Sequence, residues 1–199
     1  MPPLLIASAN SGKLSEFQRL LSPYFRCISH SSAPRIEEIE ETGSTYFENS
    51  LRKATSYFRA FGGPVLADDS GLEVDALEGA PGVQSHRFGG AHLSWPERFQ
   101  YLQNQIEKAK NKDRSARFRC VLCYWDGQSI PQFFEGVVMG EIAHVLRGEK
   151  GFGYDPIFYS NELDKTFGES TPLEKDKVSH RGKACRQFLD WMLDRRALR

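Results

Sequence analysis

Several short stretches of this 199-residue chain place chemically capable side chains close together. The first is "SANSGK", Ser8 to Lys13, which follows a short apolar run. A turn between a strand and a helix presents free backbone N–H groups and the positive end of the helix dipole. With the charge of Lys13 added, it suits an anion such as phosphate. Taken alone, the same residues also read as an ordinary turn with a solvated lysine. The second group is acidic, with Glu37, Glu38, Glu40 and Glu41 in one polar segment and Asp68 and Asp69 side by side in "LADDSGLEVDALEGAPG". Hard divalent cations such as magnesium take oxygen ligands, and phosphate-handling sites hold them with one or two carboxylates plus substrate oxygens. Glu41 and Asp69 form the candidate pair, and turn-capping surface acids are the alternative.

Two further stretches offer rings and donors. "GFGYDPIF" combines glycines, which let backbone approach closely, with aromatic rings that can stack on a flat ligand. It reads equally as a glycine-flanked turn into a strand with Phe158 in the core. "SHRGKA" sets His180 and Arg181 at the start of the last helix, after Ser179 as N-cap. The helix dipole disfavours cations there, so an acceptor-rich ligand accounts for them better than helix stability does, with surface decoration as the alternative for a lone charged pair.

Apolar periodicity supplies the elements that must position these groups. "PLLIAS" is a buried strand, followed by a helix with Leu14, Phe17 and Leu21 on its inner stripe. "FRCIS" is a second strand, and "TYFENSLRKATSYFRAFGG" is a helix with Phe47, Leu51, Ala54, Phe58 and Phe61 inward, stopped at Gly62-Gly63-Pro64. "PVLA" is a strand that ends at Asp68-Asp69, with Ser70-Gly71 turning the chain and Glu73 and Asp75 on the exposed side of an alternating run. Ser94-Trp95-Pro96-Glu97 is a capping box opening a helix with Trp95, Phe99, Leu102 and Ile106 inward. "ARFRCVLCYW" and "QFFEGVVMGEIAHVL" form an antiparallel pair suited to a second lobe. A Lys/Glu-rich loop then leads to a last helix, from about Ser179, with Cys185, Phe188, Leu189 and Met192 inward. Alternation of strand and helix defines an α/β protein, and in open α/β sheets ligands sit beyond the carboxyl ends of strands.

Composition excludes several classes of partner. Lys plus Arg equal Asp plus Glu at 26 each, so no net positive field gathers long nucleic acid. No apolar run approaches the roughly 20 residues that span a bilayer, and Met1-Pro2-Pro3 is no secretory leader, so the expected location is cytoplasmic, away from membranes. Cys120 and Cys123 have the spacing of a zinc or redox pair. They fall in a β-type run, however, where residues three apart point to opposite faces.

Taken together, "SANSGKLSEF", "EETGSTYFENSLRKA", "LADDSGLEVDALEGAPGVQSHRFGG", "GFGYDPIF" and "EKDKVSHRGKA" resemble, in order and across nearly the whole chain, the inosine/xanthosine triphosphate pyrophosphatase family. The resemblance implies an elongated, two-lobed α/β fold with a mixed sheet and a central substrate cleft. It also implies one domain over residues 1–199, a homodimer, and magnesium-dependent hydrolysis of ITP, dITP and XTP to the monophosphate and pyrophosphate, which keeps deaminated purines out of DNA and RNA. By the same resemblance Ser8, Ala9, Asn10, Ser11, Gly12 and Lys13 hold phosphate. The family begins this block Thr-Gly where Ser8-Ala9 stands here. Glu41 and Asp69 are the implied metal ligands, Asp69 is also the catalytic proton acceptor, and Ser70 contacts substrate. Phe152, Gly153, Tyr154, Asp155, Lys175, His180 and Arg181 form the base site. Donors there suit the 6-keto oxygen of hypoxanthine or xanthine and reject the 6-amino group of adenine. A pyrophosphatase for other modified nucleotides and a non-catalytic nucleotide sensor are the rival readings.

Overall fold

The computed structural model describes residues 1–29 and 39–197. Glu37 and Glu38 lie outside the described residues. Among the described residues seven strands, β1 (Pro3–Ala7), β2 (Arg26–Ser29), β3 (Val65–Val74), β4 (Ser115–Trp125), β5 (Gln132–Ile142), β6 (Phe158–Ser160) and β7 (Lys165–Thr166), form one sheet in the order β2-β1-β3-β4-β5-β6-β7. Its β1–β2 and β1–β3 pairs are parallel, whereas β5–β6 and β6–β7 are antiparallel, so the sheet is mixed. The helices are α1 (Ser11–Leu21), α2 (Tyr46–Phe61), α3 (Trp95–Lys108), α4 (Pro172–Val178) and α5 (His180–Ala197). The α/β class expected from the alternation is the one found.

The helix starts follow from local chemistry. Asn10 caps α1 by accepting the Lys13 N–H at 3.0 Å. This cap draws Ser11, Gly12 and Lys13 into the first helical turn, where the sequence suggested loop. Reciprocal capping boxes open α2 at Thr45 and Glu48 and α3 at Ser94 and Glu97. Gly62 ends α2 in the left-handed region at φ 72°. A third box, Thr171 with Glu174, starts α4 where the sequence suggested a Lys/Glu-rich loop. Pro172 in its first turn reinforces that start.

The chain packs as two compact units: Met1–Asp69, Cys120–Gly136 and Arg181–Arg199, and then Ser70–Arg119 and Val137–His180. β4 and β5, expected to suit a second lobe, each contribute residues to both units. In the first unit the strand alternation separates two apolar clusters. Leu4, Ile6, Leu66, Cys120 and Leu122 meet Phe17, Leu21 and Phe188, while Leu5, Ala7, Val65, Ala67 and Cys123 meet Ala54 and Tyr57. With a side-chain period of two, these clusters lie on opposite faces of β1, β3 and β4. Cys120 and Cys123 fall in different clusters, as their spacing required. In the second unit Leu72, Val74, Phe99, Leu102, Ile106, Phe118, Val138 and Phe158 form one core.

The boundary of β3 differs from the sequence reading. It does not end at Ala67 but runs without interruption from Val65 to Val74, so Asp68 and Asp69 stand in mid-strand and Ser70-Gly71 continues it. Two buried acids are tolerated in a strand when cations and donors from other elements meet them. Glu73 likewise is not on an exposed face: it is 9% exposed and accepts from Arg117 at 2.6 Å and Arg119 at 3.0 Å. Asp75 begins a short 3-10 turn and accepts from Arg117 at 2.9 Å.

Candidate active site

Because Asp68 and Asp69 are adjacent in a strand, they point to opposite faces and enter different surroundings. Asp68 shares the face of Leu66 and is 1% exposed. Its Oδ1 pairs with Lys13 Nζ, and its Oδ2 accepts from Arg181 Nε at 2.9 Å and Cys120 Sγ at 3.3 Å. Arg181, itself 1% exposed, also donates to Glu16 Oε2. Burial alone would push the Asp68 carboxyl up, but the charges of Arg181, Lys13 and Lys53 hold it well below the usual carboxylate range. Against the cost of burial, Asp68 and Glu16 keep Arg181 charged.

Asp69 shares the face of Ala67 and Val65, toward α2. It accepts from Asn49 Nδ2 at 3.0 Å, and its Oδ1 lies 3.7 Å from Lys53 Nζ. The same ammonium donates to Glu41 Oε1 at 2.7 Å. Burial raises the Asp69 pKa to about 6, with Glu41 pushing the same way, while Lys53, Lys13 and the Asn49 hydrogen bond offset only part of it. Burial also opposes ionisation of Glu41, but Lys53 outweighs it and lowers that carboxyl. Lys53 stays charged because Asp69 and Glu41 overcome its own burial. One acid is thus fully neutralised by cations and its neighbour is incompletely so.

The expected phosphate residues gather at the α1 N-terminus. Ser8 Oγ accepts the Asn10 N–H at 3.2 Å, and Ala9 and Ser11 are exposed. In the second unit, Asp155 organises the expected base loop. Its Oδ2 accepts the Phe152 N–H at 2.8 Å and the Lys175 ammonium at 2.5 Å, and Lys175 Nζ lies 4.8 Å from the centre of the Phe152 ring. Tyr154 is core rather than open ring: it is 3% exposed, meets Trp95 edge-on at 5.2 Å, and donates to the Ser85 carbonyl at 3.0 Å. His180 stacks on Phe118 with ring centres 4.7 Å apart. Gly153 backs onto Trp95, and Phe152 keeps partial exposure.

The structure therefore divides the expected base set. Phe152, Gly153, Tyr154, Asp155, Lys175 and His180 belong to the second unit, whereas Arg181 belongs to the first with Asp68 and Glu16. Ser70 is the first residue of the second unit. Glu16, Asn49 and Lys53 were missed by the sequence reading. The available signal was the i, i+4 spacing of Asn49 and Lys53 within the "EETGSTYFENSLRKA" block. The expected apolar stripe of α2 also shifts. Its buried face is Tyr46, Asn49, Ser50, Lys53, Ala54 and Tyr57, while Phe47 is 44% exposed.

Gly151 offers a local check of the Asp155 turn. Its φ is 77°, and an added Cβ would sit 2.0 Å from Asp155 Oδ2. Gly151→Ala is expected to lower stability by about 2–4 kcal/mol, from the left-handed strain and the disturbed buried carboxylate. A urea midpoint equal to the parent's would contradict that role.

This combination, a capped helix N-terminus beside buried acids and cations on a mixed sheet, defines an α/β protein equipped to hold an anionic ligand. The Ham1 family model matches residues 4–191, and the chain belongs to that family. It is 43% identical over 190 residues to the dITP/XTP pyrophosphatase of Coxiella burnetii, covering 94% of this chain and 95% of that protein. It is 46% identical over 191 residues to the dITP/XTP pyrophosphatase of Synechocystis sp., covering 95% of this chain and 94% of that one. Among solved structures, a HAM1 protein from Coxiella burnetii matches with a TM-score of 0.87 at 42% identity, over 98% of this chain and 100% of that chain. These matches agree with the family resemblance drawn from the ordered sequence blocks.

Proposed function

We propose that this protein hydrolyses deaminated purine nucleoside triphosphates, dITP, ITP and XTP, to the nucleoside monophosphate and pyrophosphate. The observation that carries the proposal is the asymmetry of the acid pair: Asp69 keeps a carboxyl with a pKa near 6 beside Lys53 and Glu41, while Asp68 is locked by Lys13 and Arg181. Support for the substrate class comes from the relatives named as dITP/XTP pyrophosphatases.

In this reading the N–H groups at the start of α1, with Ser8 and Lys13, take the phosphate oxygens. Asp69 orients a water toward the α-phosphorus and accepts its proton as the α–β anhydride bond breaks and pyrophosphate leaves. Asp68 is not a base; it holds Lys13 and Arg181 in place. Glu41 and Asp69, hard oxygen donors that share one ammonium group, would be the residues to hold a magnesium ion. When bound, such an ion would neutralise phosphate charge. Lys175 and His180 supply donors for the 6-keto oxygen, and the Phe152 ring supplies a stacking face.

The test is pyrophosphate release from dITP, ITP, XTP, GTP, ATP and a modified pyrimidine triphosphate, with magnesium and with excess chelator. Expected are kcat/KM values for dITP and XTP at least about 100-fold above that for ATP, as a pocket built around hydrogen bonds gives. Activity should be lost in chelator. Equal turnover of ATP, or no pyrophosphate from any of these, would reject the proposal. Faster turnover of the pyrimidine would reject the deaminated-purine assignment.

A further inference from the structure

Asn49 lies in the first part of α2, is 0% exposed, and uses both ends of its side-chain amide. Nδ2 donates to Asp69 Oδ2 at 3.0 Å, and Oδ1 accepts the Gly43 N–H at 2.8 Å. Its backbone N–H is committed to the Thr45 carbonyl at 3.1 Å, so the helix fixes where the amide starts. Only one orientation satisfies both side-chain bonds. Reversed, the amide would set oxygen against carboxylate and N–H against N–H. The fit is close, since a Cβ added at Gly43 would lie 2.6 Å from Asn49 Oδ1.

The two oxygens of Asp69 consequently have different neighbours. Oδ2 is held by Asn49, and Oδ1 is the oxygen approached by Lys53, one helical turn further along α2. The Gly43 bond ties the segment that carries Glu41 to the same amide, and Lys53 ties Glu41 itself. A neutral amide does this without adding charge and without titrating.

We propose that Asn49 is a positioning residue for Asp69: it occupies Oδ2, leaves Oδ1 as the oxygen that accepts the proton of the attacking water, and sets the Glu41 segment against the same carboxylate. The catalytic half of this assignment rests on the proposed role of Asp69. Hydrogen-bond partners behind reactive or metal-binding carboxylates are commonly worth about 10–100-fold in activity or metal affinity.

Two variants separate the functions of the amide. Asn49→Ala removes both bonds, whereas Asn49→Asp keeps an acceptor for Gly43 and replaces the Asp69 donor with a second carboxylate. Both are expected to lower kcat for pyrophosphate release from dITP by about 10–100-fold, with KM changed by less than about threefold. Thermal melting of the same samples confirms that the folded fraction is measured. Two readouts need no turnover. Hydrogen exchange of the Gly43 amide should accelerate in Asn49→Ala and stay slow in Asn49→Asp, and the carbon-13 carboxyl resonance of Asp69 should move in both. A kcat within threefold of the parent for Asn49→Asp, or an unmoved Asp69 resonance, overturns the assignment. A parent that releases no pyrophosphate from dITP would instead reject the proposed function, leaving the clamp to be decided by the exchange and resonance measurements.

Discussion

Asp69→Asn is expected to lower kcat for pyrophosphate release from dITP by about 10²–10⁴-fold, the range supplied by a positioned general base. The exchange keeps the size and one acceptor oxygen for Asn49 but removes the proposed proton acceptor, so KM should change much less than kcat. The folded protein should become more stable, not less. The Asp69 carboxyl is 2% exposed, and burial raises its pKa to about 6. An acid whose pKa is higher in the folded state than in the unfolded chain binds its proton more tightly when folded. Its charge therefore costs stability in full above about pH 6, and the cost fades as pH falls toward the unfolded value of about 3.9. In chelator at pH 7, Asp69→Asn should unfold about 1–3 kcal/mol later than the parent, with the gain disappearing near pH 4. Undiminished turnover would remove Asp69 from the chemistry, and a loss of stability at pH 7 would show that its charge is better compensated than the geometry implies.

Asp68→Asn, one residue earlier, should do the reverse in stability. Asp68 is the shared anion for Lys13 and Arg181, and Arg181 is 1% exposed with Glu16 as its other carboxylate partner. Neutralising Asp68 strands positive charge in the interior, a change that typically costs about 3–5 kcal/mol. The pH dependence has the opposite sign from that of Asp69. Because the folded Asp68 pKa is depressed, its contribution is complete above the unfolded value of about 3.9 and is lost as pH falls toward the folded one. Urea unfolding at pH 7 should show the full loss, and an acid titration of the variant should lack the parent's extra slope at low pH. A change under about 1 kcal/mol would mean that Glu16 alone suffices for Arg181.

These opposite expectations for adjacent residues come from surroundings that the sequence around the acid pair does not show. The doublet and the following Ser-Gly resembled the end of a strand, because paired acids and glycine are poor strand formers. The ion pairs that keep β3 extended come from α1, α2 and α5, far along the chain. The face of α2 was misjudged for a related reason. Periodicity counts apolar residues, whereas Asn49 and Lys53 are buried because Asp69, Gly43 and Glu41 satisfy them. His180 and Arg181 likewise looked like one donor pair but enter different surroundings, one on Phe118 and the other on Asp68 and Glu16.

By itself the sequence determined what depends on neighbouring residues and ordered motifs. The strand and helix alternation defined the α/β class. The Ser94 side chain accepts the N–H of Glu97 three residues ahead and Gly62 ends α2, so those local signals marked a helix start and a helix stop. The two-residue period of a strand separated Cys120 from Cys123, and the ordered blocks identified the family. Tertiary structure alone decided which charges meet. The partners of Asp68 and Asp69 are separated from them by long stretches of chain, and a carboxylate's ionisation depends on its burial and on the cations within a few ångströms. For that reason two identical residues side by side take different parts, Asp68 in stability and Asp69 in the proposed chemistry.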